Sequence, residues 1–392
     1  MSLAPATRGQ AWYTARAMAD VPDVRERVEE VRRVAREAAL ADVAGAGPPG
    51  RVNRPLLAAL AECRLLPRLF PAGAAGDEAR ISAIELCALR EGLAMESTDA
   101  ETALAMQGLG GYPILQSGSR ELAGEWIPRV ASGEAVAAFA LTEPGHGSDA
   151  GALELRAEPD GEGWLLTGSK TWISNAPDAD IVTVFARTTP GAGARGVTAF
   201  AVPGDAPGLT GEPIELLSPH PIGRLDFDGV PVDESQVLGE VDGGFRVAMQ
   251  TLDRFRPSVG AFAVGMARAA LDLAVAHAGE RTSFGKALKE HQAVSQLLGE
   301  MATRTEAARL LVYAAASAHD QGEPITKLSA MAKLFATETA QWVVDRAVQI
   351  HGAAGLEASH PLAHLYRDVR APRIYEGTSE IQREIIAREL YR

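Results

Sequence analysis

Hydrophobic residues near the start of the chain recur with the period of an α-helix. In segment 21–43 they fall at intervals of three or four residues, at Val24, Val28, Val31 and Ala35. This spacing places them on one helical face. The same period returns in four further segments, at 52–66, 81–94, 98–116 and 118–130. We therefore predict an N-terminal α-helical domain over residues 1–132.

The pattern changes from about residue 134. Short stretches of alternating or β-branched residues, such as VAAFALT, DIVTVFART and GVTAFAVP, are separated by Gly, Pro and Asp at short intervals. Such spacing is typical of antiparallel strands joined by tight turns. Because no helical segments separate these strands, a parallel nucleotide-binding sheet is not expected. Residues 133–240 are predicted to form an antiparallel β-barrel or β-sandwich.

After GEVDGGF the helical period returns and holds to the end of the sequence. The predicted helices are rich in Ala and Leu and span 244–279, 287–318, 325–354, 361–370 and 380–391. Long helices with short connections indicate a bundle, so residues 241–392 are predicted to form a C-terminal four-helix-bundle domain. The fold class is α+β, in the order helical domain, β domain, helical domain.

Charge and composition exclude several classes of protein. The 392 residues carry a formal net charge of −13 and no Lys- or Arg-rich block, so we expect no nucleic-acid partner. Cys63 and Cys87 lack metal or redox spacing and are expected to be reduced and buried. His360 and His364 are four residues apart, but we see no carboxylate or thiol that completes a ligand set, and we expect no metal.

Signals for export or membrane insertion are also missing from the sequence pattern. The first 20 residues contain no continuous apolar stretch, so we expect no signal peptide. The most apolar long stretch, 260–279, is interrupted by Arg268, Asp272 and His277 and fits a core helix better than a membrane span. We predict a soluble, cytoplasmic protein without a membrane partner.

Two segments of the β region contain groups that could contact a ligand. LTEPGHGSDAG, at 141–151, is a glycine-rich turn whose backbone N–H groups could hold an anion or a cofactor. Equally, Thr142 and Ser148 could simply stabilise a tight turn. In GSKTWISNA, strand alternation puts Trp172 and Ser174 on the same side. That side could face a planar heterocycle, or the Trp could lie in the core.

Two segments of the C-terminal region raise a similar choice. ERTSFGKALKEHQ, at 280–292, interrupts the helical pattern, and Thr282 or Ser283 is expected to cap a helix. Arg281 beside a helix N-terminus would suit a phosphate, although a capped surface corner explains the pattern equally well. DRAVQIHGAAGL, at 345–356, ends in glycines that are typical of a helix C-cap or of a backbone approached by a ligand.

The segment RIYEGTSEIQR, at 373–383, contains the candidate catalytic residue. Ser379 and Gln382 have the spacing of a capping box, so Glu376, three residues earlier, is not needed as a cap. Gly377 beside it would let a ligand approach the backbone. Burial would raise the pKa of the Glu376 carboxyl towards the range of a general base. The alternative is a solvated loop acid.

Together, LTEPGHGSD, KTWISN, GERTSFGKALKEHQ, AVQIHGAAG and IYEGTSEIQR resemble the acyl-CoA dehydrogenase family in order and spacing. The resemblance covers nearly the whole chain and is strongest after about residue 134. It implies an FAD enzyme that oxidises an acyl thioester between its α and β carbons. Glu376 matches the family's base, which takes the α-proton while the β-hydride goes to flavin N5. The backbone N–H of Glu376 would hold the thioester carbonyl.

The resemblance also implies the binding residues. Those on the flavin are Phe139, Leu141, Thr142, Trp172 and Ser174, with Ser148 touching both FAD and the substrate. Those on the FAD of a neighbouring subunit are Arg281, Ser283, Phe284, Gln292, Gln349, Ile350, Gly352, Ala353, Thr378 and Glu380. Those on the substrate are Ser148, Asp253, Arg256, Tyr375 and Gly377. Because each FAD would be completed across a subunit boundary, a homodimer or homotetramer is implied.

Several residues depart from the family pattern. Phe139 stands where tyrosine is common, His146 where a small residue is usual, and Glu380 where glutamine is frequent. LLSPHPIGRLDF, at 216–227, is a shorter loop with two prolines around His220. Because this loop should lie near the substrate entrance, we expect a branched, cyclic or aryl-bearing acyl group, or a carrier-protein thioester, rather than a straight fatty chain.

The resemblance implies an electron-transfer flavoprotein as the electron acceptor. One alternative of the same fold uses oxygen, as an acyl-CoA oxidase or a flavin monooxygenase, although the retained Glu376 argues against a monooxygenase. Another is a non-enzymatic flavoprotein that binds nucleic acid. That alternative would require a basic face, and the net charge of −13 makes it the least favoured.

Overall fold

The structure is a computed structural model that describes residues 21–71 and 81–391. The prediction about a signal peptide concerns residues 1–20, which lie outside the described residues. The prediction for Cys63 and Cys87 is confirmed in part: both thiols are free, Cys87 is fully buried and Cys63 is half-buried.

The N-terminal segment folds as helices, with the four predicted apolar positions Val24, Val28, Val31 and Ala35 all buried. The helices are α1 (Val21–Glu37), α2 (Leu40–Gly45), α3 (Arg54–Glu62), α4 (Ala83–Ala94), α5 (Thr98–Ser117) and α6 (Arg120–Ala131). Ser82, Ser97 and Ser119 precede α4, α5 and α6, and each side chain accepts a bond from a backbone N–H three residues on. These caps fix the helix starts because they satisfy amides that have no partner within the helix.

The middle segment forms one eight-stranded sheet. Its strands are β1 (Ala137–Ala140), β2 (Arg156–Asp160), β3 (Gly163–Ser174), β4 (Ile181–Arg187), β5 (Val197–Pro203), β6 (Leu209–Pro213), β7 (Ile222–Val232) and β8 (Val237–Leu238). The order is β6-β7-β3-β2-β4-β5-β8, with β1 also paired to β4.

Most pairings in this sheet are antiparallel, as predicted, but β1 runs parallel to β4 and β2 meets β4 in parallel at one residue pair. Alternation of apolar residues predicts a strand but carries no information about the direction of its partner. The purely antiparallel description therefore needs this correction.

The C-terminal segment is helical: α7 (Gly244–Glu280), α8 (Gln292–Asp320), α9 (Thr326–His351), α10 (Pro361–Asp368) and α11 (Ser379–Glu389). By length and composition α7 could cross a membrane, but 67% of its most apolar window is buried inside the protein. That burial is typical of a core helix.

The predicted helix at 287–318 begins five residues later, at Gln292. Residues Thr282–Ser283 (β9) and Lys286–Ala287 (β10) pair as a small hairpin around Phe284 and Gly285 instead. The prediction that Thr282 or Ser283 caps a helix is therefore wrong, and α8 begins without a side-chain cap. Arg281 accordingly lies at the C-terminal end of α7 rather than at a helix N-terminus.

Helix α4 joins the two helical regions. Glu91 accepts hydrogen bonds from Arg309 Nε at 2.8 Å and from the Tyr313 hydroxyl at 2.7 Å, both on α8. Its neighbour Arg90 is paired with Glu101 of α5 and donates to Ser258 Oγ of α7 at 2.8 Å. Apolar residues of α4 share a core cluster with α7, α8 and α9. The helix therefore forms one wall of the C-terminal bundle.

Candidate active site

Glu376 lies in the connection between α10 and α11. Its backbone has φ +51°, and the following Gly377 has φ +90°. Positive φ is unfavourable for a glutamate, whereas glycine adopts it readily. A Cβ atom on Gly377 would also approach Gln382 Nε2 to 2.5 Å. The tight turn around Glu376 therefore requires glycine at the next position.

The cap of α11 differs from the prediction. Thr378, not Ser379, is the N-cap, and its hydroxyl accepts from the Ile381 N–H at 3.3 Å. Ser379 Oγ donates instead to Glu338 Oε1 on α9 at 2.6 Å. Gln382 Nε2 donates to the carbonyl oxygens of Glu376 and Gly377 at 3.2 and 3.1 Å. The predicted capping box of Ser379 and Gln382 is wrong because Ser379 bonds to α9 and Gln382 bonds to carbonyls of the preceding turn.

The carboxylate of Glu376 is held in an unusual electrostatic environment. Its Oε2 is shielded from solvent and has no hydrogen-bond partner among the described residues. Burial raises the pKa of this carboxyl, while the charges of Arg90, Arg256 and Lys333 oppose that rise. A raised pKa and a free oxygen are properties that suit a proton acceptor.

Three of the predicted substrate-side residues, Arg256, Tyr375 and Gly377, lie close to this carboxylate. Arg256 Nη1 donates to Asp253 Oδ1 at 2.7 Å on α7, and the charge of Arg256 acts on Glu376. Arg256 Nε is buried and has no hydrogen-bond partner within the part of the chain that the structure describes. Tyr375 is half-buried, and burial raises the pKa of its hydroxyl well above the usual range. The site thus contains an acceptor, Glu376 Oε2, and a donor, Arg256 Nε, that have no hydrogen-bond partner among the described residues.

The predicted flavin-side residues cluster where β1 meets β3. Phe139 packs on Phe185 with ring centroids 4.9 Å apart, and the carbonyl of Leu141 accepts from buried Lys170 at 3.0 Å. The carbonyl of Thr142 accepts from the Thr171 N–H at 3.0 Å. Ser148 lies exposed in the turn that follows.

Trp172 is presented to solvent rather than buried. The register between β3 and β7 shifts between Lys170 and Ile173, and within this bulge Trp172 has φ +58° and a side chain that is 55% exposed. Simple alternation, on which the shared side of Trp172 and Ser174 was predicted, therefore breaks down here. The open indole face is available to a planar ligand.

Ser174 has a partner that the sequence did not indicate. Its Oγ lies 2.8 Å from His220 Nε2, and burial lowers the pKa of this histidine to about 4. The surrounding loop is fastened to α10 through a hydrogen bond from Ser218 Oγ to Asp368. Asp368 also contacts His364 at 2.9 Å, so a carboxylate does stand beside that histidine. Across the described residues, however, no group of three or more potential metal ligands is found.

The residues predicted to meet a neighbouring subunit's FAD lie at the hairpin, at the end of α9 and at the start of α11. Phe284 at the hairpin tip is 96% exposed with φ +51°. Stacked rings of His277 and His351, 4.2 Å between centroids, join the ends of α7 and α9. The exposed members of the set are Arg281, Phe284, Gln292, Gln349, Gly352, Ala353 and Glu380, and the half-buried ones are Ser283, Ile350 and Thr378.

Several residues beside Glu376 were missed in the sequence. Lys333, Arg90 and Glu101 are fully buried, and all three act electrostatically on Glu376 or are acted on by it. A sequence signal existed for Lys333, since it stands between Ala332 and Leu334 on an otherwise apolar stretch of helix. A charged residue at such a position is seldom fully buried without a specific partner.

Models of all three acyl-CoA dehydrogenase domains match the chain. The N-terminal domain matches residues 22–134, the middle domain 138–230 and the C-terminal domain 242–391. The chain therefore belongs to the acyl-CoA dehydrogenase family, which confirms the resemblance seen in its motifs.

Individual relatives agree with this assignment. Cyclohexane-1-carbonyl-CoA dehydrogenase of Geobacter metallireducens is 36% identical over 371 residues, which is 94% of this chain and 97% of the relative. The structure of butyryl-CoA dehydrogenase from Megasphaera elsdenii superposes with a TM-score of 0.87 at 32% identity, covering 94% of this chain and 98% of that one. The structure of PigA with FAD and proline gives 0.85 at 28% identity, covering 94% and 97%.

Proposed function

We propose that this protein catalyses the FAD-dependent α,β-dehydrogenation of an acyl-CoA thioester, with Glu376 as the base. The observation that carries the proposal is the shielded, unpartnered Oε2 of Glu376. A carboxylate oxygen that accepts no hydrogen bond from the protein can accept the α-proton of a bound thioester. Its raised pKa matches that task.

The backbone N–H of Glu376 is the proposed donor to the thioester carbonyl. Among the described residues it donates to no acceptor. A fixed amide near the developing enolate oxygen would stabilise negative charge there and acidify the α-carbon. The base and this donor then belong to the same residue, so their positions relative to each other are set by the conformation of Glu376.

The residues at the β1–β3 junction fit FAD. The open face of Trp172 suits an isoalloxazine ring, and Ser174 is the nearby hydroxyl proposed to contact it. When bound, FAD supplies the acceptor for the β-hydride. The hairpin and the end of α9 are proposed to bind the FAD of a neighbouring subunit, in a homodimer or homotetramer.

The substrate is proposed to be a branched or cyclic acyl thioester of CoA or of a carrier protein. The relative named for cyclohexane-1-carbonyl-CoA supports a ring-bearing acyl group, and the loop around His220 differs from the usual family pattern near the proposed entrance. An electron-transfer flavoprotein is the proposed acceptor, and the cytoplasm is the proposed compartment.

The test is anaerobic bleaching of the flavin by a panel of straight, branched, cyclic and aromatic acyl-CoA thioesters. We expect the parent to bleach with at least one of them. Glu376→Gln should keep its yellow FAD and lose bleaching, by a factor of about 10² or more, since it cannot take the proton. Glu384→Gln, which changes an exposed glutamate of α11 outside the proposed site, is the matched control.

A Glu376→Gln variant that bleaches as fast as the parent would show that another group is the base. Oxygen consumption on addition of the best thioester, without any other acceptor, would identify an oxidase of the same fold instead. Tight binding of a nucleic acid at moderate salt would favour the non-enzymatic alternative.

A further inference from the structure

Lys333 is a buried cation whose hydrogen bonds both go to the loop of the proposed base. It lies on α9 and is fully buried. Its Nζ donates to the carbonyl of Tyr375 at 3.0 Å and to the carbonyl of Gly377 at 2.7 Å. Since the unsatisfied burial of an ammonium is costly, these two bonds tie the position of the loop to α9.

The bond to Tyr375 also sets the direction of the Glu376 amide. In a planar trans peptide the carbonyl oxygen and the following N–H point in opposite directions. Lys333 turns the Tyr375 carbonyl towards α9, so the N–H of Glu376 points away from α9. That N–H is the group that has no acceptor among the described residues. Lys333 therefore fixes the direction of the Glu376 N–H without contacting that group.

The other two carbonyls of the turn are also bonded to side chains. Gln382 donates to Glu376 O and shares Gly377 O with Lys333. All three carbonyls from Tyr375 to Gly377 are therefore bonded to side chains of α9 or α11. This anchoring maintains the positive φ of Glu376, which an unsupported loop would relax.

We propose that Lys333 is a positioning residue for the dehydrogenation: it fixes the Tyr375–Gly377 turn so that the amide and the carboxylate of Glu376 both face the thioester. This inference rests on the proposed function. It assigns to Lys333 no contact with the substrate or with FAD.

Charge gives the lysine a second effect on the same residue. Burial lowers the pKa of Lys333 to about 8, with Glu376, Glu338 and Glu380 opposing that shift and Arg256 adding to it. Below that pH its positive charge favours the ionised form of Glu376, as do the charges of Arg90 and Arg256. Removal of the Lys333 charge should therefore raise the pKa of the base.

The experiment measures the anaerobic rate of flavin bleaching against pH, with the best thioester from the panel, for four FAD-loaded proteins. These are the parent, Lys333→Met, Lys333→Arg and the control Lys327→Met, which removes a half-buried lysine from the same helix. We expect Lys333→Met to bleach about 10- to 100-fold more slowly at neutral pH, because the reacting groups are misplaced. The pH at which its rate is half-maximal should also move upward.

Lys333→Arg retains the charge and should keep the parent's acidic midpoint while losing part of the rate, since its planar group fits two converging carbonyls less well. Lys327→Met should behave as the parent. A Lys333→Met protein with the parent's rate and midpoint would overturn the inference. If Lys333→Met does not fold, the test rests on Lys333→Arg. An unchanged bleaching rate in Lys333→Arg would show that the two hydrogen bonds of Lys333 do not position the reacting groups. Failure of the parent itself to bleach with any thioester would count against the proposed function rather than against the role of Lys333.

Discussion

At the scale of single residues, three of the seven non-glycine residues with positive φ in the described part of the chain belong to the proposed site. Trp172, Phe284 and Glu376 all have positive φ, at +58°, +51° and +51°, although bulky side chains disfavour this region. Such conformations persist only where the surrounding structure enforces them, and they cluster at functional positions. Trp172 lies in a strand bulge and Phe284 at a hairpin tip. Glu376 lies in a turn whose carbonyls accept hydrogen bonds from Lys333 and Gln382.

His220 should make the stability of the protein depend on pH. Its folded pKa of about 4 lies below its ordinary value of 6.5, so the fold favours the neutral ring. The corresponding stability is fully present above pH 6.5 and is lost progressively as pH falls towards 4. Between pH 7 and pH 5 the parent should lose about 2 kcal/mol more than His220→Gln.

Urea unfolding of both proteins at the two pH values measures this difference. An equal loss in parent and variant would show that His220 protonates freely in the folded state.

At the scale of secondary-structure elements, the connections hold most of the proposed site. The loop containing Ser218 and His220 links β3 to α10, through Ser174 on one side and Asp368 on the other. The turn at Glu376 links α9 to α11 through Lys333 and Gln382. The helices and strands therefore fix the loops from both ends, and the loops carry the reactive groups.

The start of α11 offers a direct test of its corrected cap. Thr378→Val removes the hydroxyl that accepts from Ile381 with little change in shape. We expect a loss of about 1 kcal/mol in the free energy of unfolding, typical of a lost N-cap. Thr326→Val is the control, because Thr326 begins α9 in a turn without a side-chain cap.

The free energy of unfolding can be measured by denaturant titration of the proteins without FAD, because Thr378 is also a proposed FAD contact and a bound ligand would add to the apparent stability. Equal stability of Thr378→Val and the parent would mean that the helix start does not depend on this hydroxyl.

Sequence patterns were sufficient for the order of the helical and β segments and for the buried face of α1. They were insufficient where the role of a side chain depends on residues that are distant in sequence. Thr378 and Ser379 are adjacent and both suit an N-cap, and only the position of Glu338 on α9 decides between them. The bulge at Trp172 and the parallel partner of β1 likewise depend on strands that are distant in sequence. Lys333 bonds to carbonyls that lie more than 40 residues further along the chain, and hydrophobic periodicity carries no information about such long-range contacts.

At the scale of the whole molecule, the three-domain fold of the acyl-CoA dehydrogenase family is confirmed by the superposition with butyryl-CoA dehydrogenase. The assembly of subunits remains a proposal, and Phe284 is the residue that best tests it. Its phenyl ring is 96% exposed at the hairpin tip, in the segment that is proposed to bind the FAD of a neighbouring subunit.

Phe284→Ser should therefore weaken subunit association and FAD retention together. We expect sedimentation velocity to show a smaller species at low micromolar concentration, with at least a severalfold loss of bound FAD after gel filtration. Val241→Ser, which removes a 48% exposed side chain elsewhere, is the control. Unchanged sedimentation and unchanged FAD content in Phe284→Ser would remove the hairpin from the proposed interface.

The adjacent residues Arg90 and Glu91 of α4 bear on how the chain can be divided into fragments. A polypeptide of residues 241–392 would contain every long helix of the bundle but would lack one wall of its core. Its Arg309 and Tyr313 would also lose their common acceptor, Glu91. Such a fragment should aggregate when expressed alone and recover when residues 1–132 are supplied as a second polypeptide. The boundaries visible in the sequence would then separate stretches of chain rather than autonomous units of folding.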